Sequence, residues 1–243
     1  PTIVSASLTG LPYTHLDFDL PVDRIRHTST PHFWKNARDG ETEADYTARL
    51  AAEFEELVLA EGPDTVAAFI AEPIMGAGGV LVPPAGYFPA MMEVCREHDI
   101  LMISDEVICG FGRTGEWFGA QTLDYEPTSI SVAKQLTGSY LPLSAVAINE
   151  TMAEVIEAHS GKIGTFGHGF TYGGHPVGCA VGIKTLEIYE RMDAPARVRA
   201  LAPAFAAHLD RLAGHPLVGE ARHTGLVGAL ELAPGKSPGG FAT

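Results

Sequence analysis

The stretch "SISVAKQLTGSYLPLSAVAI", residues 129–148, decides how the chain is built. It holds two short apolar runs, "SISVAKQL" (129–136) and "LSAVAIN" (143–149), separated only by "TGSYLP". Two further runs of the same kind precede it, "VAAFIAEPI" (66–74) and "ILMISDEVI" (100–108). Near-continuous hydrophobicity over so few residues predicts strands buried on both faces, the pattern of an α/β sheet. Helical patterns lie between them. "ETEADYTARLAAEFEELVLAEG" carries Tyr46, Leu50, Phe54, Leu57 and Val58 on one face and ends at Gly62, a C-terminal cap. "AGYFPAMMEVCREHD" has Tyr87, Met91, Cys95 and His98 at helical spacing. Helix, strand, helix, strand implies crossovers and a mostly parallel sheet. "TGSYLP" is too short for a crossover, so the fourth strand is expected antiparallel to the third, or elsewhere in the sheet.

After residue 150 the pattern becomes a short helix "TMAEVIEAHS", a glycine-rich loop "GKIGTFGHGFTYGG" and a longer helix "HPVGCAVGIKTLEIYERM". From 194, "APARVRALAPAFAAHLDRLAG" places Val198, Leu201, Phe205, Leu209 and Leu212 on one stripe interrupted by Pro203, and the strand "GLVGALEL" follows. Residues 1–193 therefore read as part of a large domain and 194–243 as the start of a smaller one. The ends, Pro1 in mid-pattern and "GKSPGGFAT" directly after a strand, read as those of a piece of a longer protein.

Composition narrows the function classes. The 243 residues are 46% hydrophobic and 19% charged, ordinary for a globular chain. A net charge of −14 argues against a basic nucleic-acid surface. Cys95, Cys109 and Cys179 form no C-x-x-C pair, which argues against a disulfide framework or a zinc site and fits a reducing, cytoplasmic compartment. No apolar run approaches the roughly 18 residues that span a bilayer, so no membrane segment is expected.

Three motifs carry chemistry. "ISDEVICG" puts Asp105 at the carboxyl end of a strand, where open α/β sheets bind ligands; a turn cap is its plainer reading. Lys134 stands at the same end of the next strand, either as a snorkelling surface residue or as an amine whose pKa a site controls. An amine that can form a Schiff base and a carboxylate that can hold a pyridine nitrogen protonated are the pair pyridoxal phosphate requires. "GHGFTYGGHPVG" (167–178) ends at a helix N-terminus, where Thr171 and glycine backbone could contact a phosphate. His168 and His175 lack further ligands at metal spacing and read as core or capping residues. Glu72, in "AEPIMGAGG", stands at another strand end as a cap or supporting partner, and Trp117 and Phe118 read as packing beneath the neighbouring turn.

"GFGRTG" (110–115) matches the dinucleotide G-x-G-x-x-G, but the next strand arrives too soon for the crossover helix a Rossmann unit needs. A turn of glycines is the expected reading.

Together "ISDEVICGFGRTGEWFG", "SVAKQLTGSYLPLSAV" and "FGHGFTYGGHPVGCAV" resemble the class III (ω-) aminotransferases, of pyridoxal-phosphate fold type I, from "AEPIMGAGG" to "GLVGALEL". The resemblance implies that Lys134 forms the internal Schiff base and shuttles a proton. It implies that Asp105 pairs with the pyridine nitrogen, that Val107 packs on the ring, and that Thr171 binds the phosphate of the neighbouring subunit's cofactor in a homodimer. Glu72 matches the family's Glu-Pro element. Ala77 stands where many amino-acid-type members carry a glutamate, as in amine:pyruvate-type members, so the donor is expected to be an amine or ω-amino acid and the acceptor a keto acid such as pyruvate. The upstream phosphate loop, the stacking aromatic and the downstream substrate arginine have no counterpart in these residues. The rival readings are an aminomutase or decarboxylase of the same fold, a nicotinamide-dependent oxidoreductase, and a catalytically silent fragment.

Overall fold

A computed structural model describes residues 2–233. The helices are Ile3–Leu8 (α1), Phe33–Asn36 (α2), Glu43–Glu61 (α3), Tyr87–Glu97 (α4), Gly119–Thr122 (α5), Glu150–Ile163 (α6), Pro176–Met192 (α7) and Ala194–Ala213 (α8). The strands are Ala68–Ala71 (β1), Leu101–Asp105 (β2), Ser129–Val132 (β3), Ala145–Ile148 (β4), Val218–Thr224 (β5) and Val227–Leu232 (β6).

α3 starts where its sequence says it should. The Thr42 hydroxyl accepts from the Asp45 amide and the Asp45 carboxylate accepts from the Thr42 amide, both at 3.2 Å, a reciprocal cap. Tyr46, Leu50, Phe54 and Val58 then recur every fourth residue and are buried, and the helix stops at Gly62, whose φ is 90°. α4 buries Tyr87, Phe88, Met91, Met92, Val94 and Cys95 against that stripe, and Phe69 of β1 and Met102 of β2 complete the same core.

The four-stranded sheet runs β1-β2-β3-β4. β1, β2 and β3 are parallel, and β4 is antiparallel to β3 with Ser129 opposite Ile148 and Val132 opposite Ala145. The short link after Lys134 thus reverses the chain, as its length requires. Burial on both strand faces is not what forms. In β2 only Met102 and Ser104 are buried, while Leu101, Ile103 and Asp105 are half-buried, and β4 is exposed at all four residues. The α3–α4 layer covers the face of Phe69 and Met102, which are register partners, and the described residues cover the opposite face less completely. The strand expected over 129–136 also ends early, at Val132, and Lys134 opens a 3-10 turn.

The C-terminal part adds a hairpin missed by half in the sequence. β6 was expected, whereas β5, in "VGEARHT", carries too little apolar alternation to read as a strand. Pro203 lies inside an unbroken α8. Of the stripe expected on α8, Val198, Phe205 and Leu209 are half-buried while Leu201 and Leu212 are exposed. Leu209 sits so close to Gly228 of β6 that a Cβ there would lie 2.4 Å from it, with Phe205 at 3.0 Å.

Candidate functional site at three strand ends

β1, β2 and β3 bring three functional groups to one edge of the sheet. Ala71 pairs with Ser104 and Asp105 with Ser131, so Glu72 follows the end of β1, Asp105 closes β2, and Lys134 lies two residues beyond β3. The carboxyl edge of parallel strands is where open sheets bind ligands.

Side chains alternate along β2, and the alternation separates two adjacent acids. Asp105 takes the half-open face. Its Oδ1 accepts from the Val107 amide at 3.1 Å and the Ser131 hydroxyl at 3.2 Å. Among the described residues Oδ2 has no protein donor. Glu106 turns to the face of Ser104 and is buried, only 1% exposed. Its two oxygens accept from the Gly119 and Ala120 amides, each at 2.8 Å, at the start of α5. Ser104 donates to it at 3.3 Å and shares a 2.7 Å hydrogen bond with the Tyr125 hydroxyl, whose ring stacks on Phe88. Burial raises the Glu106 carboxyl above its ordinary range, against the pull of those two amides. Glu106 thus ties both ends of the 107–118 turn together. Only Asp105 drew attention in the sequence; period-two alternation was the signal that could have placed its neighbour inside.

Lys134 is exposed and has φ 43°, a left-handed conformation uncommon for a residue with a Cβ. Its amine makes no hydrogen bond or ion pair among the described residues. The turn is held from outside it: Thr137 donates to the Leu141 carbonyl at 2.6 Å, and the Tyr189 hydroxyl of α7 reaches the Gln135 carbonyl at 3.0 Å. Glu72 accepts from the Gly76 amide at 3.0 Å. Burial raises the Glu72 carboxyl, the charge of Asp105 raises it further, and that of Lys134 opposes the rise. The three groups therefore share one electrostatic environment.

Both plain readings hold: Asp105 caps the turn at Val107, and Glu72 caps the one at Gly76. His175 caps α7 through its Nδ1, which accepts from Val177 at 3.3 Å, whereas His168 is exposed, outside the core, and meets the rings of Phe166 and Phe170 edge-on. Val107 is half-buried beside Asp105. Thr171 is exposed, and no hydrogen bond links it to Glu72, Asp105 or Lys134. A cleft of about 600 Å³ lies elsewhere, between Met92, Arg96, Tyr125 and Asn149.

"GFGRTG" is a docking turn. The Arg113 carbonyl accepts from the Leu226 amide at 3.0 Å, and Arg199 of α8 donates to the Gly115 carbonyl. Gly110, Gly112 and Gly115 open no crossover helix; only the four-residue α5 follows. Phe118 packs edge-on against Phe111 in this turn.

Residues 20–238 match the family model described as Aminotransferase class-III. The chain belongs to the class-III aminotransferases. Its fold is accordingly that of pyridoxal-phosphate fold type I. It is 48% identical over 237 residues to Gamma aminobutyrate transaminase 3, chloroplastic, of Solanum lycopersicum, covering 98% of this chain and 46% of that protein. It is 48% identical over 238 residues to Probable gamma-aminobutyrate transaminase 4 of Oryza sativa subsp. japonica, covering 98% and 49%. Among solved structures, a transaminase with L-ala superposes with a TM-score of 0.95 at 51% identity, over 98% of this chain and 57% of that one. The omega transaminase from Pseudomonas jessenii in complex with PMP superposes with a TM-score of 0.95 at 47% identity, over 98% and 53%. This class-III chain spans about half the length of the curated relatives it matches.

Proposed function

We propose that the protein to which these residues belong is a pyridoxal-phosphate-dependent transaminase, moving an amino group from an amine or ω-amino acid to a keto acid such as pyruvate. The observation that carries this reading is that Lys134, whose amine has no hydrogen bond or ion pair among the described residues, and Asp105, whose Oδ2 has no protein donor among them, stand at adjacent parallel strand ends. The residues fit the group. Lys134 Nζ has no competing hydrogen bond among the described residues, and Asp105 Oδ2 has no protein donor, so each is open to a ligand.

When bound, pyridoxal phosphate supplies an electron-accepting ring conjugated to the substrate carbon. Lys134 would supply the amine that holds the cofactor's aldehyde, and its Nζ would accept and return a proton. Asp105 would accept a hydrogen bond from the cofactor's ring nitrogen and keep it protonated; Val107 N–H and Ser131 Oγ fix the carboxylate for that task. Val107 packs on the ring face, and Glu72 supports the wall beside Asp105. Thr171, exposed and apart from the other residues, serves the phosphate of the partner's cofactor in a homodimer. Residues 1–193 form part of the large cofactor-binding domain and 194–243 the start of the smaller one. The donor class follows Ala77 and agrees with the γ-aminobutyrate in the relatives' names.

No helix among the described residues is long and apolar enough to cross a membrane. Three free cysteines, two of them buried, support a reducing compartment, for which the cytoplasm is our reading; the relatives' names include chloroplastic and mitochondrial proteins.

Borohydride reduction of the holoprotein should fix the cofactor on the peptide containing Lys134, and pyruvate with an amine donor should yield alanine. Label on another residue overturns the lysine assignment. Label without alanine points to an aminomutase or decarboxylase.

A further inference from the structure

The loop between Met75 and Leu81 adjoins the strand-end cluster through Glu72. Its first turn is the one Glu72 caps at Gly76. Gly76 packs so tightly on Ile108 that any side chain would collide, and the Ile74 carbonyl accepts from the Cys109 thiol at 3.7 Å, so the loop lies directly on the turn that follows Asp105. It closes on itself through a bridge, Leu81 N–H to the Met75 carbonyl at 3.0 Å and the reverse at 3.2 Å. Its tip, Ala77 and Gly78, is exposed.

The loop holds a conformation its sequence does not favour. Gly79 has φ 117°, and Val80 follows with φ 54°. For a β-branched residue a left-handed φ is an outlier that persists only where the surroundings impose it. What imposes it comes from the far end of the chain. Arg222 of β5, 6% exposed, donates from Nη2 to the Gly79 carbonyl at 2.7 Å and from Nε to the Val80 carbonyl at 3.3 Å. The guanidinium is anchored on its other side by Glu231 of β6 at 2.9 Å and by Glu220, with His32 Nε2 at 3.2 Å from Nη1. A planar fork can reach two successive carbonyls and two carboxylates at once; a lysine cannot.

We propose that Arg222 is a positioning residue: from the C-terminal hairpin it clamps the 75–81 loop in its strained form and so fixes the wall that a substrate meets beside Glu72, Asp105 and Lys134. The clamp stands on geometry alone, and only its effect on substrate rests on the transaminase reading.

The test compares Arg222→Lys and Arg222→Met holoprotein with wild type by hydrogen exchange and steady-state kinetics. Amides 75–81 should exchange at least about tenfold faster while those of β2 stay unchanged, a local loosening in the sense of sub-global opening. KM for the amino donor should rise several-fold with kcat changed less than about twofold, the mark of lost binding geometry and not of lost chemistry. Unchanged exchange in 75–81, or faster exchange spread evenly over the chain, overturns the clamp, and a kcat loss at constant KM overturns its effect on substrate. Should Arg222→Met not fold, Glu231→Gln weakens the anchor without touching the loop and should give the same local pattern in smaller degree. If the wild-type holoprotein makes no alanine and traps no cofactor, the transaminase reading fails while the exchange result still decides the clamp.

Discussion

The Ser131 hydroxyl donates to Asp105 Oδ1 at 3.2 Å across two register-paired residues of adjacent parallel strands. Sheet pairing therefore sets the orientation of the carboxylate, with the Val107 amide at 3.1 Å as the second constraint. Ser131→Ala removes one of two donors to a charged, half-buried group. Such bonds contribute about 1.5–3 kcal/mol, and partial exposure brings the expected loss to about 1 kcal/mol, roughly a fivefold drop in kcat. On the proposed role of Asp105 toward the cofactor's ring nitrogen, Asp105→Asn should cost more than about 100-fold. Steady-state kinetics on both variants checks the order.

Glu106 is the stability counterpart of Asp105. Replacing it by alanine leaves the Gly119 and Ala120 amides without their acceptor inside the protein. At about 1–3 kcal/mol for each orphaned buried donor, Glu106→Ala should lose about 2–4 kcal/mol in urea unfolding. Glu106→Gln keeps one carbonyl acceptor and should lose about half as much.

Glu72 predicts a pH dependence. Burial and the Asp105 charge raise its folded pKa above the ordinary 4.5. The folded apoprotein therefore binds this proton more tightly than the unfolded chain does. The stability contributed by Glu72 is fully present below pH 4.5 and is lost as pH rises through the folded value. Glu72→Gln keeps an acceptor for the Gly76 amide and removes the titration. Unfolding curves of wild type and variant should coincide in shape below that pH, with the wild type declining relative to the variant above it.

Gly225 joins the hairpin to the "GFGRTG" turn. Its φ is 57°, and a Cβ there would lie 2.5 Å from the Arg113 carbonyl oxygen and 2.6 Å from backbone atoms of Thr114. Backbone cannot swing aside as a side chain end can. Gly225→Ala should cost about 2–3 kcal/mol, from a strained φ and from overpacking together, read as a lowered thermal midpoint. A neutral result would mean that the turn and hairpin are not docked as described.

Periodicity made much of the architecture legible. The four-residue recurrence of Tyr46, Leu50, Phe54 and Val58 gave α3 its buried stripe, and "TGSYLP" was short enough to force β4 antiparallel. β5 escaped because, of the side chains it buries in "VGEARHT", Val218 and Arg222, the larger is a charged residue set in a polar run. The full burial expected of the strands did not form because an apolar run reports what a strand could bury, not what the described residues place over it.

By itself the sequence determined which residues stand at the strand ends, and with them the family, since strand position and motif order are local properties. Only tertiary structure decided that Asp105 faces the site while Glu106 anchors α5, that "GFGRTG" docks a hairpin, and that Arg222 grips carbonyls 142 and 143 residues away. Those contacts join segments far apart in the chain. Their geometry follows from how packed layers bring donors to acceptors, which no pattern within a single run of residues encodes.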